Sequence, residues 1–309
     1  MRNLFGRRLR YPKVKIENRD GRFHIEGLGA WYSYWRDPYH LMLTIPWSGF
    51  LGCLAGAYFL INSLFAGLYL LDPDGVANMP TPGFLNAFAF SVQTFASIGY
   101  GAMHPVSAYA HLLVTLEALV SLLSIALVTG LCFARFSKPT ARVIFSRVAV
   151  ISRHDHAPML MFRMANQRRN QILEAELRVC LLRDEISAEG EFMRRLYDLK
   201  LLRSRTPSLT LTWTVMHPID EDSPLYHCTP ESLEKTHAQL LVSLSGVDET
   251  VTNMIYARHA YVTRDIFYDY RFVDMLHLAS DGHRYMDYTS FHEVERVKPG
   301  QVTGWKRSP

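Results

Sequence analysis

Between Arg36 and Arg135 the sequence contains no lysine or arginine, a gap of 98 residues in a chain of 309. Nine of its 33 basic residues precede the gap and the rest follow it. The only acids inside it are Asp37, Asp72, Asp74 and Glu117. A soluble domain keeps charge on its surface, so the gap argues against buried helices of a soluble core. Cysteine is also scarce. Cys53, Cys132, Cys180 and Cys228 lie far apart with no Cys-x-x-Cys spacing, which argues against a disulfide scaffold or a structural zinc site. There is no strand–glycine–helix phosphate loop, and the histidines are scattered without metal-ligand spacing. No nucleophile–base pair is visible either, so an anchored enzyme is the weakest reading. Nothing calls for an organic cofactor or a nucleic-acid partner. With 49% hydrophobic residues the chain is not of the disordered class. Its mean hydropathy of −0.01 and formal net charge of +4 average over two unlike halves.

What the gap contains is apolar. Pro46–Leu71 is a run of 26 residues whose only strongly polar side chain is Asn62, and Val106–Ala134 is a run of 29 interrupted mainly by His111 and Glu117. Crossing the hydrocarbon core takes about 20 apolar residues as a helix, so both runs are long enough to span with some tilt. The first begins too late and runs too long for a cleaved signal peptide. Arg2, Arg7, Arg8, Arg10, Lys13, Lys15, Arg19 and Arg22 precede the first run, and Arg135, Lys138, Arg142 and Arg147 follow the second. By the positive-inside rule both termini are cytoplasmic and the protein is a multi-pass protein of the cell's inner (plasma) membrane. Trp31, Tyr32, Tyr34 and Trp35 precede a short amphipathic stretch that suits the membrane interface.

The connection from Asp72 to Pro105 is more than a turn. After a loop rich in Pro and Gly comes Phe84–Ala96, a largely apolar stretch of 13 residues without Gly or Pro. At about 1.5 Å per residue that is roughly 20 Å, too short to span; a re-entrant helix fits. Its C-terminal end, partially negative, would favour a cation near the membrane centre. Ser97-Ile98-Gly99-Tyr100-Gly101 follows. Irregular backbone at membrane depth is tolerated only where it is buried in protein or lines a polar cavity. Two glycines in five residues permit alternating backbone twists that turn successive carbonyls to one side. A ring of such carbonyls replaces an ion's hydration shell.

The sequence resembles the prokaryotic inward-rectifier potassium channels, the KirBac family. The resemblance runs through RDPYH, FSVQTFASIGYGAMHP, TLEAL, GLCFARFSKPTA, RMANQRRNQILEAEL, SAEGE, WTVMHPIDEDSPL and ARHAY. It implies a homotetramer in which each chain works with three identical subunits and K+ passes passively. The backbone carbonyls of Ser97, Ile98, Gly99 and Tyr100 would coordinate K+, with the Ser97 hydroxyl at the inner end and Gly101 closing the filter. Ser97 stands where the family usually has Thr, losing a methyl group and the stiffness of β-branching, so a weakly selective cation channel stays open as a second reading. Gln93 stands where many relatives have Glu, and Ala102 where they often have Asp. Gln93 and Glu117 would support the filter. Ser121 and Ser124 stand where relatives can have glycines, which leaves Gly130 as the hinge candidate. Ile125 implies weak polyamine block. Phe133 would form a dewetting gate. Arg36, Arg135, Lys138 and Arg142 would attract anionic phospholipids or phosphoinositides.

From about Pro139 the pattern has period two. Leu209, Leu211, Trp213 and Val215 alternate with threonines, and Leu173, Ala175, Leu177, Val179 and Leu181 with charged residues, as in half-buried antiparallel strands. Leu240, Val242 and Leu244 mark a further strand, and Pro230–His237 reads as a short helix capped by Thr229. An immunoglobulin-like β-sandwich accounts for these signals. The expected organisation is a cytoplasmic N-terminus with an interfacial slide helix (1–45), an α-helical membrane pore domain of two spans and a re-entrant helix (46–138), and an all-β cytoplasmic sandwich (139–309). By the resemblance Glu174 and Glu249 line a cytoplasmic vestibule, with Arg168 and Arg169 close enough to pair with them. A two-span anchor carrying a partner-binding sandwich is the alternative outside transport.

Overall fold

The computed structural model of the chain describes residues 15–19, 22–26, 37–278 and 283–297. Arg36, the aromatic residues at 31–35 and the basic residues from Arg2 to Lys13 lie outside them. The chain forms two compact units, residues 29–138 and residues 139–309 together with 1–28. In the N-terminal part, β1 (Lys15–Arg19) and β2 (Arg22–Glu26) pair as an antiparallel hairpin.

The helical unit opens with α1 (Pro38–Thr44). Asp37 caps it, accepting from the His40 amide at 3.0 Å, and Pro38 occupies the first turn, where a missing N–H costs nothing. The helix stops before Pro46 because the residue ahead of a proline is driven out of the helical region; Ile45 has ψ 152. α2 (Trp47–Tyr69) and α4 (Ala108–Phe136) have 23 and 29 residues, and their most apolar windows reach mean hydropathies of 1.7 and 2.3. Between them run β3 (Val76–Ala77), α3 (Phe84–Phe95) and β4 (His104–Pro105). The pairing of β3 with β4 draws together the two ends of the loop that carries α3. Ser107 caps α4 through the Ala110 amide and also donates to Asp72. α3 has 12 residues, about 18 Å of helix, and packs between α2 and α4 through Phe65, Ala66, Ala87, Phe90 and Leu113. The outward faces of α2 and α4 stay open: Leu60, Leu122 and Leu127 are about 70% exposed (72%, 68% and 68%). Such a surface suits lipid or other copies of the chain.

The second unit is a β-sandwich. Its strands are β5 (Val143–Phe145), β6 (Ala149–His154), β7 (Ala157–Asn166), β8 (Ile172–Ile186), β9 (Phe192–Asp198), β10 (Arg205–Leu209), β11 (Thr212–Pro218), β12 (Gln239–Asp248), β13 (Met254–Val262) and β14 (Ile266–Tyr268). One sheet runs β10-β8-β12-β13 with β9 on β8, and the other β11-β7-β6-β14 with β5 on β7. Their facing sides bury Leu160, Phe162, Leu181, Trp213, Leu240 and Tyr261. α5 (Pro230–Lys235) is closed by a capping box between Thr229 and Ser232 and buries Leu233. β15 (Tyr270–Phe272), β16 (Leu276–Leu278), β17 (Arg284–Met286) and β18 (Val294–Arg296) complete the described residues, with β15 paired to β18 and β16 to β17.

Two strand expectations need correction. Leu209–Val215 is not one strand. The chain bends at Thr210–Leu211, so β10 joins one sheet and β11 the other, and Leu211 is left 52% exposed. Strands that change sheets turn such corners, and alternation in sequence does not register them. In β8, Leu173 leaves the core and Ile172 takes its place. Glu174 has φ +48, and the pairing with β12 slips between Ser245 and Val247, a β-bulge that reverses which residues face inward.

Candidate functional site

The site is built at the C-terminus of α3. The Ser97 amide donates to the Thr94 carbonyl at 3.1 Å and the Ile98 amide to the Gln93 carbonyl at 2.9 Å. With Ser97 at φ +55 this is a Schellman ending, which satisfies the last helical carbonyls and releases the chain in a new direction. Gly usually fills that left-handed position because a Cβ makes it costly; here a serine does. Gly99 follows at φ +57 and Gly101 at φ +81. Left-handed residues thus alternate with Ile98 and Tyr100, which have negative φ. Among the described residues no donor reaches the carbonyl oxygens of Ser97, Ile98, Gly99 or Tyr100, and all five residues of the segment are exposed in the single chain. An exposed run of unpaired carbonyls is a ready set of ligands for a hard cation.

A buried polar network joins all three helices, α2, α3 and α4. Glu117 on α4 is fully buried. It accepts from the Tyr69 hydroxyl of α2 at 2.7 Å and from the Ser91 hydroxyl of α3. Ser91 Oγ also lies 3.1 Å from Asn62 Oδ1, and Asn62 Nδ2 donates to the Tyr58 carbonyl at 2.8 Å. Buried polar groups that are fully partnered rigidify and specify their surroundings. Ser121 adds a second tie from α4, donating to the Phe95 carbonyl at the end of α3. Gln93 contributes its backbone carbonyl, which takes the amides of Ile98 and Gly99. Sequence reasoning missed Tyr69 and Ser91 because a Tyr or Ser in an apolar run looks like any other. Asn62, the lone amide in its run, was the legible signal.

Along α4, Ile125 is 56% and Phe133 73% exposed. Gly130 lies inside the unbroken helix, and a Cβ there would meet nothing. At the basic end of α4 the three cations differ. Lys138 and Arg142 are exposed, with no side-chain partner among the described residues. Arg135 is half-buried: it donates to the carbonyls of Met42 and, at 2.7 Å, Ile45, and its guanidinium lies 4.7 Å from the Trp47 ring centroid and 4.5 Å from that of Phe50.

In the sandwich, Glu174 and Glu249 are both exposed, and Glu249 accepts from the Gln171 amide at 3.0 Å. Arg168 pairs with neither. It bonds Asp248 at 2.8 Å and the Thr140 hydroxyl at 2.9 Å. Burial pushes the Asp248 carboxyl up, but the Asn170 side chain, the amides of Thr250 and Val251, and Arg168 together hold it below the usual range. Asp248 was not singled out by sequence. Lying beside Glu249, it takes the arginine by being buried. Among the described residues no group of three or more His, Cys, Asp or Glu is placed to hold a metal ion through side chains.

The residues match known proteins throughout. The family described as "Inward rectifier potassium channel C-terminal domain" matches residues 143–307, and the one described as "Ion channel" matches residues 50–138. The inward rectifier potassium channel Kirbac3.1 of Paramagnetospirillum magnetotacticum is 44% identical over 283 residues, 91% of this chain and 96% of that one. Human inward rectifier potassium channel 4 is 33% identical over 231 residues, 71% of this chain but 51% of that protein, so the chain spans about half its length. The human G protein-activated inward rectifier potassium channel 3 is 29% identical over 312 residues, covering 93% of this chain and 79% of that protein.

Proposed function

The chain belongs to the inward rectifier potassium channel family, and from that premise we propose how this particular sequence conducts and gates. It is a membrane potassium channel, with two helices long and apolar enough to span and an all-β C-terminal domain. Four copies surround one axis, each contributing Ser97-Ile98-Gly99-Tyr100-Gly101 to a filter. The carbonyls of Ser97, Ile98, Gly99 and Tyr100 replace the hydration shell of K+, and the Ser97 hydroxyl lines the inner end. The observation that carries this reading is the left-handed backbone at Ser97, Gly99 and Gly101, which leaves the carbonyls between them unpaired.

Both termini face the cytoplasm of a plasma membrane, because the basic residues flank the pair of spans and avoid the loop between them. The exposed Phe133 narrows the inner end of the pore as a dewetting gate. Gly130 is the place where α4 bends if it bends. Gln93 and Glu117 support the filter, and the basic residues Arg36, Lys138 and Arg142 attract anionic lipid. Glu174 and Glu249 raise the local cation concentration in the cytoplasmic vestibule.

The test is rubidium uptake into proteoliposomes holding the full chain, with sodium competition and barium. Barium-blocked uptake that sodium does not compete with is the expected result. Equal uptake of the two ions would assign a weakly selective filter, in keeping with the missing methyl group of Ser97. A monomer without uptake would overturn the channel assembly altogether. Phe133→Ala should raise basal uptake; unchanged uptake removes Phe133 as the gate.

A further inference from the structure

We propose that Arg135 is a positioning residue that fastens α1 to the gate end of α4, and that the response to anionic lipid belongs to Lys138 and Arg142. The proposal rests on the gate reading above. It begins with a missing donor. In a continuing helix the Met42 carbonyl would be bonded by the amide four residues on, but that residue is Pro46, which has no N–H. The Ile45 carbonyl precedes the turn into α2 and takes no backbone donor either. These are two of the carbonyls that the end of a helix leaves unsatisfied. Arg135, from a different helix and 90 or more residues away in sequence, fills both with its two terminal nitrogens.

The same guanidinium lies over Trp47 and Phe50, the first turn of α2. Phe50 is fully buried, and the Trp47 ring meets Phe136 with centroids 4.9 Å apart. A cation at a helix C-terminus is favoured by the helix dipole, and its stacking on aromatic rings adds to that. The result ties the end of α1, the start of α2 and the end of α4 at one side chain, two residues beyond Phe133. A displacement of α1 is therefore passed to the segment of α4 that carries the gate. Headgroup phosphates find their free donors elsewhere, on the exposed Lys138 and Arg142.

Lysine cannot replace this group, since a single ammonium does not bridge two carbonyls while lying flat on two rings. That separates the proposal from simple charge. Rubidium uptake by the full-length channel is measured as phosphatidylglycerol replaces phosphatidylcholine in the vesicles. Arg135→Lys and Trp47→Leu are each expected to compress the ratio of highest to lowest uptake by at least about fivefold, the low end of coupling between sites. The phosphatidylglycerol fraction at half-response should stay in place, and the double variant should be no worse than either single one. The combined Lys138→Gln and Arg142→Gln variant should instead shift that fraction and keep the ratio. In the Phe133→Ala background Arg135→Lys should change nothing.

Wild-type behaviour of Arg135→Lys with a shifted half-response in Arg135→Gln would make Arg135 a headgroup ligand and overturn the proposal. So would additive effects of Arg135→Lys and Trp47→Leu, or loss of uptake by Arg135→Lys in the Phe133→Ala background, which would mean assembly rather than coupling. If Phe133→Ala alone leaves uptake unchanged, the gate reading fails by itself, and the lipid titrations still decide the role of Arg135.

Discussion

Glu117 is an intramembrane carboxylate with both oxygens in use, one by Tyr69 and one by Ser91. Replacing it by alanine strands the Tyr69 hydroxyl in a buried space and leaves Ser91 with Asn62 Oδ1 as its one acceptor. Each unsatisfied group costs about 1–3 kcal/mol, so Glu117→Ala should lower the melting temperature of the purified channel and reduce rubidium uptake. Glu117→Gln keeps one acceptor and should fall between alanine and wild type in both measurements. Equal behaviour of the glutamine and alanine variants would mean that the carboxylate acts by its charge and not by its bonds. At the same scale, Ser97 holds a left-handed conformation that a glycine would adopt without strain. The chain keeps a hydroxyl there instead, at the start of the run of unpaired carbonyls.

Single elements also carry departures from ideal geometry that matter. In β8 the bulge at Glu174 faces Gly246 of β12. A Cβ on that glycine would lie 2.6 Å from Ile172 Cγ2, 3.1 Å from the Leu173 carbonyl oxygen and 3.3 Å from Ala175 Cα. Two of those neighbours are backbone, so the strain has little room to relax. Gly246→Ala should therefore destabilise the sandwich by roughly 1–3 kcal/mol, read as a lower melting temperature of the full-length protein. An unchanged melt would show that the bulge shifts freely. α3 depends on its ending in the same way. Its Schellman bonds, with Ser121 on the Phe95 carbonyl, fix the angle at which the Ser97–Gly101 segment leaves the helix.

For the whole molecule, stability should depend on pH through a buried histidine in the sandwich. His217 is 2% exposed, with Nδ1 2.7 Å from the Lys200 carbonyl and Nε2 2.8 Å from Ser223 Oγ. Burial lowers its pKa, against the Lys200 hydrogen bond and Asp220, which raise it. The unfolded chain then takes up the proton first as pH falls. The stabilisation is complete above the unfolded value of about 6.5 and is lost as pH drops below it towards the lower folded value. The melting temperature should thus fall between pH 7 and 5, and His217→Gln should reduce that slope. A variant with the wild-type slope would place the pH dependence in other groups, His292 among them, whose pKa burial and Arg147 also lower.

The sequence by itself determined the architecture, because the features behind it are one-dimensional. A 98-residue gap without cations and two long apolar runs specify spanning helices. A 13-residue, largely apolar stretch too short to span, followed by a Gly-x-Gly segment, specifies a re-entrant loop, and period-two stretches specify strands. These are properties of neighbours in the chain, set by the water–hydrocarbon boundary and by backbone geometry. Tertiary structure alone decided which polar side chains meet. That Tyr69, Ser91 and Glu117 share one network, that Arg168 chooses Asp248 over Glu174 and Glu249, and that a bulge reverses the alternation at Leu173 depend on distances between segments far apart in sequence. Arg135 is the clearest case. Its charge and position were legible, and its partners were not, because the carbonyls it fills are orphaned by a proline in another helix.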